Sequence, residues 1–147
     1  MILLPIRQTL SENTQFLNHP DCEPGLSMTI EFFDKIGYNP PWIGYYAQLD
    51  GNLVGGCAFK GKPKNGRVEI AYGTFPQYQH QGVGAEMCKQ LLQLALKTDP
   101  AVTVTARTLP EESYSTRILR KNGFVHLGTI WDDEDGDVWE WEYLVSK

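Results

Sequence analysis

The chain of 147 residues is long enough to bury a core without metal or disulfide staples and short enough to form one domain, 1–147. With 41% hydrophobic and 21% charged residues it has the composition of an ordinary globular protein, neither disordered nor fibrous. A formal net charge of −5, with no run of Lys or Arg, argues against a nucleic-acid partner, which needs a basic stripe to displace counterions, and suits a cationic or amine-bearing one.

Taken in chain order, Ile2–Ile6 can form a first strand. Ser11–Asn18 reads as helical and stops before Pro20, which disfavours helical geometry at His19. Ser27 is a candidate cap for a second helix that carries Ile30, Phe33 and Ile36 on one side and ends at Gly37. From Trp42 the period changes. Trp42–Gln48 and Leu53–Lys60 are rich in β-forming residues and flank Asp50-Gly51-Asn52, a hairpin signal. Gly61–Gly66, with Pro63 and Asn65, is the next turn, and Arg67–Phe75 completes an antiparallel meander.

Gly82–Lys97 is the clearest helix, with Val83, Met87, Leu91, Leu94 and Ala95 sharing a face. Val102–Ala106 follows as a strand suited to parallel pairing with the strand before that helix. Glu112–Asn122 is helical and ends at Gly123, and Phe124–Trp131 and Val138–Val145 flank the acidic turn Asp132–Asp137. The order β-α-α-β-β-β-α-β-α-β-β defines a mixed α+β fold class.

Three further exclusions follow. Cys22, Cys57 and Cys88 form no CxxC pair and are odd in number, so they read as reduced packing residues of a cytoplasmic protein. No stretch has the length to span a membrane, and Met1–Ile6 is too short for a signal peptide, so no membrane partner is expected. His19, His80 and His126 lack metal-ligand spacing, and no metal is expected.

The chemistry begins where the third strand of the meander meets its helix, at Gln79-His80-Gln81-Gly82-Val83-Gly84. Glycines at 82 and 84 let the backbone turn tightly and approach a ligand closely. The amides of Gln81 through Ala85 then leave the first helical turn without intrahelical partners, at the positive end of the helix dipole, which suits a pyrophosphate. The loop holds no Lys or Arg, so these amides carry most of the anion binding. The same pattern also fits a tight strand-to-helix turn that holds no ligand. Two other phosphate motifs fail. Gly56–Lys62 spells Gly-x4-Gly-Lys, but Pro63 replaces the magnesium-binding Ser/Thr and no helix follows. A dinucleotide fingerprint lacks its third glycine near Met87 and its parallel context.

Gln79–Gly84 resembles the Gln/Arg-x-x-Gly-x-Gly/Ala signature of the GNAT superfamily of N-acyltransferases. Val68-Glu69-Ile70-Ala71-Tyr72-Gly73 ahead of it is similar to that family as well. Behind it, Ser115–Phe124 resembles the helix-to-Gly-Phe segment of the ribosomal-protein N-terminal acetyltransferase-like branch. The resemblance implies a central, mostly antiparallel sheet in which two neighbouring parallel strands splay apart, with a bulge near Tyr72–Phe75. It implies acetyl-CoA as co-substrate, with Thr74 and Phe75 on the pantetheine arm and Gln79, His80, Gln81, Gly82, Val83, Gly84 and Ala85 around the pyrophosphate. Ser113 stands where the family often has Asn and reaches less far toward the cofactor.

The implied reaction is acetyl transfer to a primary amine by direct attack in a ternary complex. That chemistry needs a neutral nucleophile, a stabilised oxyanion and a protonated leaving thiolate. Glu69, on the strand running into the site, is the candidate general base; the alternative is a strand carboxylate paired with Arg67. Tyr72 falls on the opposite face from Glu69 by period-two alternation and reads as core. Many relatives have Tyr where this chain has Leu119, which leaves Tyr114, Ser115, water or no dedicated acid to protonate the thiolate. A backbone amide near Thr74 is the expected oxyanion donor. The acceptor class is an amine-bearing small molecule or a peptide N-terminus, and homodimers are common among similar proteins. A non-catalytic acyl-CoA-binding module on the same fold is the alternative function.

Overall fold

The computed structural model describes residues 1–144. After strand β1 (Ile2–Pro5), a 3-10 turn (Leu10–Asn13) runs into the single-turn helix α1 (Thr14–Leu17), followed by α2 (Glu23–Ile36). The meander is β2 (Gly44–Leu49), β3 (Asn52–Phe59) and β4 (Arg67–Thr74), followed by α3 (Val83–Thr98), β5 (Thr103–Thr108), α4 (Tyr114–Lys121), β6 (Phe124–Asp132) and β7 (Gly136–Tyr143). The strands form one seven-stranded sheet in the order β1-β2-β3-β4-β5-β7-β6. Every neighbouring pair is antiparallel except β4 and β5, which run parallel, so the expected mixed α+β architecture is present.

Local chemistry explains the boundaries. Asp50 (φ 51°) and Gly51 (φ 83°) both adopt positive φ, the geometry of the tight hairpin turn that Asp-Gly favours. The expected cap of the second helix at Ser27 is corrected: the cap is Cys22 and α2 begins at Glu23, with Pro24 in its first turn and the Glu23 amide donated to the His19 carbonyl. The segment expected as one helix at Ser11–Asn18 is broken instead. Asn13 is fully buried, and its side chain accepts from the Arg7 amide (2.7 Å) and donates to the Arg7 and Thr9 carbonyls (3.1 and 2.8 Å). Those bonds hold a tight turn rather than a continuous helix. Of the last expected strand, Val145 lies outside the described residues.

Cross-strand register sorts the meander into two faces. Gly56 opposes Gly73, Ala58 opposes Ala71, and Tyr46 opposes Gly56, so all five project to one side, toward α2. The Tyr46 hydroxyl donates to the Cys22 carbonyl beside the start of that helix (3.0 Å). The other face carries Cys57, Ile70, Tyr72 and Thr74 and packs on α3, whose Met87, Leu91 and Ala95 are fully buried. The contact is close at Gly55, where a Cβ would lie 2.9 Å from the Met87 methyl. No helix of the described residues is long and apolar enough to cross a membrane.

Candidate functional site

The site begins with a gap in the sheet. The Lys60 amide donates to the Glu69 carbonyl and the Phe75 amide to the Val54 carbonyl (2.8 and 2.9 Å), so odd-numbered residues of β4 bond to β3. By alternation, the amides of Tyr72 and Thr74 turn toward β5. The β4/β5 pairing has already ended, at Ile70 opposite Ala106, while β5 continues along β7 from Thr105 to Thr108. The two parallel strands therefore separate with the Tyr72 and Thr74 amides facing the opening.

The expected bulge in β4 is corrected. Its register against β3 runs unbroken from Ile70 to Thr74, and the irregularity on this side of the sheet lies between Ala47 and Gln48 of β2. The gap arises because β5 leaves β4, not because β4 gains a residue. Phe75 donates its amide to Val54 and its carbonyl accepts from the Tyr78 amide (2.9 Å), so its ring is the larger free surface it presents.

Beyond β4, a 3-10 turn (Pro76–Tyr78) leads to an exposed loop in which His80 (φ 65°) and Gly82 (φ 81°) are left-handed. Helix α3 starts on Gly82 with no side-chain cap, and its first bond is from the Glu86 amide to the Gly82 carbonyl (3.1 Å). Among the described residues the amides of Gln81 through Ala85 have no hydrogen-bond acceptor. The two glycines do different work. Gly82 supplies the positive φ with open space around it. Gly84 is buried, and a Cβ there would lie 2.7 Å from Cδ1 of Ile118 and 3.4 Å from the Thr74 hydroxyl. Gly84 thus lets α4, β4 and the start of α3 come together, and the Asn122 side chain donates to the Ala85 carbonyl to hold them there (3.2 Å).

Sequence reading found no cation in this loop, but the fold brings one beside it. The Arg117 guanidinium lies 5.8 Å over the Tyr114 ring, and Tyr114 meets the His80 ring edge-on at 5.6 Å. Residues 37 positions apart cannot be joined by a local pattern. Ser113 turns out to be the cap of α4: its hydroxyl accepts from the Thr116 amide (3.4 Å) while the Thr116 hydroxyl accepts from the Ser113 amide (2.9 Å). A Glu112–Arg120 pair braces the same turn, and the Arg120 hydrogen bond holds the Glu112 carboxyl down at about 2.

Of the candidate proton donors, Tyr114 is half-buried beside the glycine loop and Ser115 is exposed at the gap. Tyr72 is on the opposite face from Glu69, as alternation requires. It reaches across the gap, its hydroxyl donating to the Ser115 carbonyl (3.3 Å), and burial pushes its phenol well above the ordinary range. This bridge was not legible in the sequence. Leu119 is fully buried in the core and carries no polar group.

Glu69 sits in a chain of ions. Its Oε2 is 2.9 Å from Lys60 Nζ and its Oε1 3.7 Å from Arg107 Nε, while Arg107 also reaches Asp132 at 2.8 Å. Arg67 pairs with Glu140 and Glu142 (3.4 and 2.9 Å) rather than with Glu69. The Asp132 carboxyl is held below its usual range first by the amides of Glu134 and Asp135, then by Arg107. The acidic hairpin is therefore a structured turn. No group of three or more His, Cys, Asp or Glu among the described residues is arranged to hold a metal ion.

Two separate grooves lie on either side of the gap. One, of about 410 Å³, lies on the β5 side and is lined by charged groups including Lys60, Arg107, Glu111, Asp132 and Asp135. The other, of about 450 Å³, lies on the β4 side beneath α2 and is mostly apolar, with Asp21 its one charged residue.

Comparison with known proteins agrees with this geometry. Residues 7–125 match the model of the acetyltransferase (GNAT) domain. The chain is 32% identical over 74 residues to the uncharacterized N-acetyltransferase YjdG of Bacillus subtilis (strain 168); that match covers 50% of this chain and 44% of the other, less than half the relative's length. A mutant of spermidine N-acetyltransferase from Vibrio cholerae superposes with a TM-score of 0.71 at 13% identity, covering 98% of this chain and 95% of that one. The ribosomal L7/L12 alpha-N-protein acetyltransferase, solved in complex with coenzyme A, superposes with a TM-score of 0.68 at 15% identity, covering 97% and 93%. At these identities the two structural likenesses are ones of fold.

Proposed function

The chain belongs to the GNAT acetyltransferase family, and we propose that it transfers acetyl from acetyl-CoA to a primary amine by direct attack in a ternary complex. One observation carries this reading: a helix start with five unpartnered amides adjoins a gap between two parallel strands. Backbone donors at the positive end of a sixteen-residue helix fit a pyrophosphate, and the opening beside Tyr72 and Thr74 fits an extended arm that ends in a thioester. Coenzyme A is present in the complex of the ribosomal-protein acetyltransferase cited above, which supports the same choice of ligand.

In this account the amides of Gln81–Ala85 hold the diphosphate, with Gln79, His80 and Arg117 at its edge, and Thr74 and Phe75 flank the pantetheine. Ser113 contributes through the helix start it caps. The Thr74 or Tyr72 amide donates a hydrogen bond to the developing oxyanion as the carbon–nitrogen bond forms. The carbon–sulfur bond then breaks, and the thiolate takes a proton from Ser115, Tyr114 or water at the mouth of α4. Before the attack Glu69 takes a proton from the substrate ammonium through water and leaves a neutral amine as nucleophile, its own charge kept in place by Lys60 and Arg107. The same two cations compete with that role, and together with the buried Leu119 they favour a second reading, an acyl-CoA-binding module without turnover.

Thermal melting with and without acetyl-CoA tests the first step, because a ligand that binds the folded chain must stabilise it by mass action. The account expects a rise in melting temperature and thiol release with an amine. A rise without thiol release across an amine panel supports the module. No rise at saturating acetyl-CoA rejects both.

A further inference from the structure

The ions around Glu69 are unequal partners. The three nitrogens of the Arg107 guanidinium each face a different carboxylate: Nε lies 3.7 Å from Glu69 Oε1, Nη1 2.8 Å from Asp132 Oδ2 and Nη2 3.8 Å from Glu140 Oε2. Only the contact with Asp132 is a hydrogen bond. Asp132 is itself fixed, because its Oδ1 accepts from the amides of Glu134 and Asp135 (2.9 and 3.1 Å), which leaves Oδ2 to Arg107. Glu140 gives its other oxygen to Arg67 (3.4 Å), and Arg67 pairs with Glu142 as well (2.9 Å). From β3, Lys60 Nζ holds Glu69 Oε2 at 2.9 Å. One oxygen of Glu69 is therefore tied to Lys60, while the other, Oε1, faces Arg107 without bonding to it. Arg107 is also the first residue of β5 beyond the last pair with β4, so the ladder between those strands does not fix it. Lys60, Arg107 and Asp132 line the groove on the β5 side, which puts open space beside these ions.

We propose that Asp132 is a positioning residue for the base: by holding Arg107 it keeps the guanidinium from closing on Glu69, and so leaves Oε1 open to the water that carries the proton. The assignment rests on the acetyl-transfer reading with Glu69 as base. A guanidinium and a carboxylate pair most strongly through two parallel hydrogen bonds, and a Glu69 paired in that way has no oxygen left for water. Asp132 wins the guanidinium because the hairpin turn has already oriented its carboxylate. The same two turn amides, with Arg107 after them, hold that carboxyl below its usual range and so keep it charged. The acidic hairpin thus acts on the reaction through one ion pair, at a distance from the reacting atoms.

The test is a double-mutant cycle on the full chain, read as thiol release from saturating acetyl-CoA. The amines are spermidine, 2-phenylethylamine and an alanyl peptide, and the fastest is used throughout. Asp132→Asn keeps an oxygen for the turn amides and removes the charge that holds Arg107. Its acetyl-CoA affinity should be unaltered and its kcat about tenfold lower. Adding Arg107→Met should raise kcat at least about threefold above that of Asp132→Asn, because the competitor for Glu69 is then gone. A merely structural role for Asp132 allows no such recovery, since a second lost ion pair only adds to the first. Should Asp132→Asn fail to fold, Asp132→Ser replaces it, because a hydroxyl can also accept from the turn amides. If Asp132→Asn keeps full kcat while Glu69→Gln loses it, or if the double variant is no faster than Asp132→Asn, the positioning assignment is wrong and acetyl transfer stands. If no amine releases thiol, or if Glu69→Gln is as fast as the unaltered chain, the base reading fails and takes the assignment with it.

Discussion

The two sides of the β4/β5 gap are made from different material. On the α3 side the chemistry is backbone: amides at a helix start, shaped by a left-handed Gly82 and by the missing Cβ of Gly84. On the α2 side it is side chains, gathered from β2, β3, β4 and the segment before α2, with a carboxylate held between cations at the far end of the same strand. A backbone site tolerates loss of neighbouring side chains and is spoiled by one added carbon. A side-chain site is spoiled by loss of a lining group as well as by added bulk. The contrast explains how one fold can keep its cofactor and change its acceptor.

The largest effect should follow from breaking the backbone side. Gly84→Val drives a side chain into Ile118 and Thr74, which should cost about 1–3 kcal/mol of stability. It should also weaken acetyl-CoA binding at least about tenfold by calorimetry. Gln81→Ala, in the same loop, should change that affinity by no more than about threefold, since its side chain only reaches the Gln77 carbonyl (3.4 Å). Equal effects from the two variants would mean that side chains, not amides, hold the anion.

The next effect sharpens the side-chain half. Glu69→Gln should lower kcat by about a hundredfold while acetyl-CoA affinity stays the same, as expected for loss of a base that does not touch the cofactor. An unaltered kcat would assign Glu69 to the ion chain with Lys60 and Arg107 alone.

The smallest effect concerns the wall that both sides share, the start of α4. The Glu112 carboxyl titrates at about 2 in the folded chain against an ordinary 4.5, so its pairing is present above pH 4.5 and is lost as pH falls toward 2. Glu112→Gln should make the fall of melting temperature across that window shallower. An identical acid slope in the two proteins would show that the Arg120 pair adds nothing there.

The same contrast accounts for what the sequence could reveal. Hairpin turn, glycine loop, the α3 face and the return of β5 are all local patterns, and Asp50-Gly51, Gly82 and Gly84 announce them without tertiary information. Even the missed start of α2 had a local signal, since Pro24 suits a first helical turn better than Ser27 suits a cap. The gap itself was expected for a different reason: a bulge is written in one strand, but the departure of β5 from β4 depends on what β7 and the β5–α4 connection do. Ion pairs such as Glu69 with Lys60 and Arg107 depend on register across three strands, and no spacing encodes them. The apolar groove is less legible still, because its floor is defined by side chains that are absent.

The central claim is that α3-start amides and the open edge of β4 form one continuous acetyl-CoA site. A crystal structure of the chain with acetyl-CoA tests it most directly. The account predicts the pyrophosphate oxygens within about 3 Å of amides between Gln81 and Ala85, and the thioester carbonyl in similar reach of the Tyr72 or Thr74 amide. A cofactor bound elsewhere, or a β4 whose Tyr72 and Thr74 amides are paired within the sheet, would contradict it.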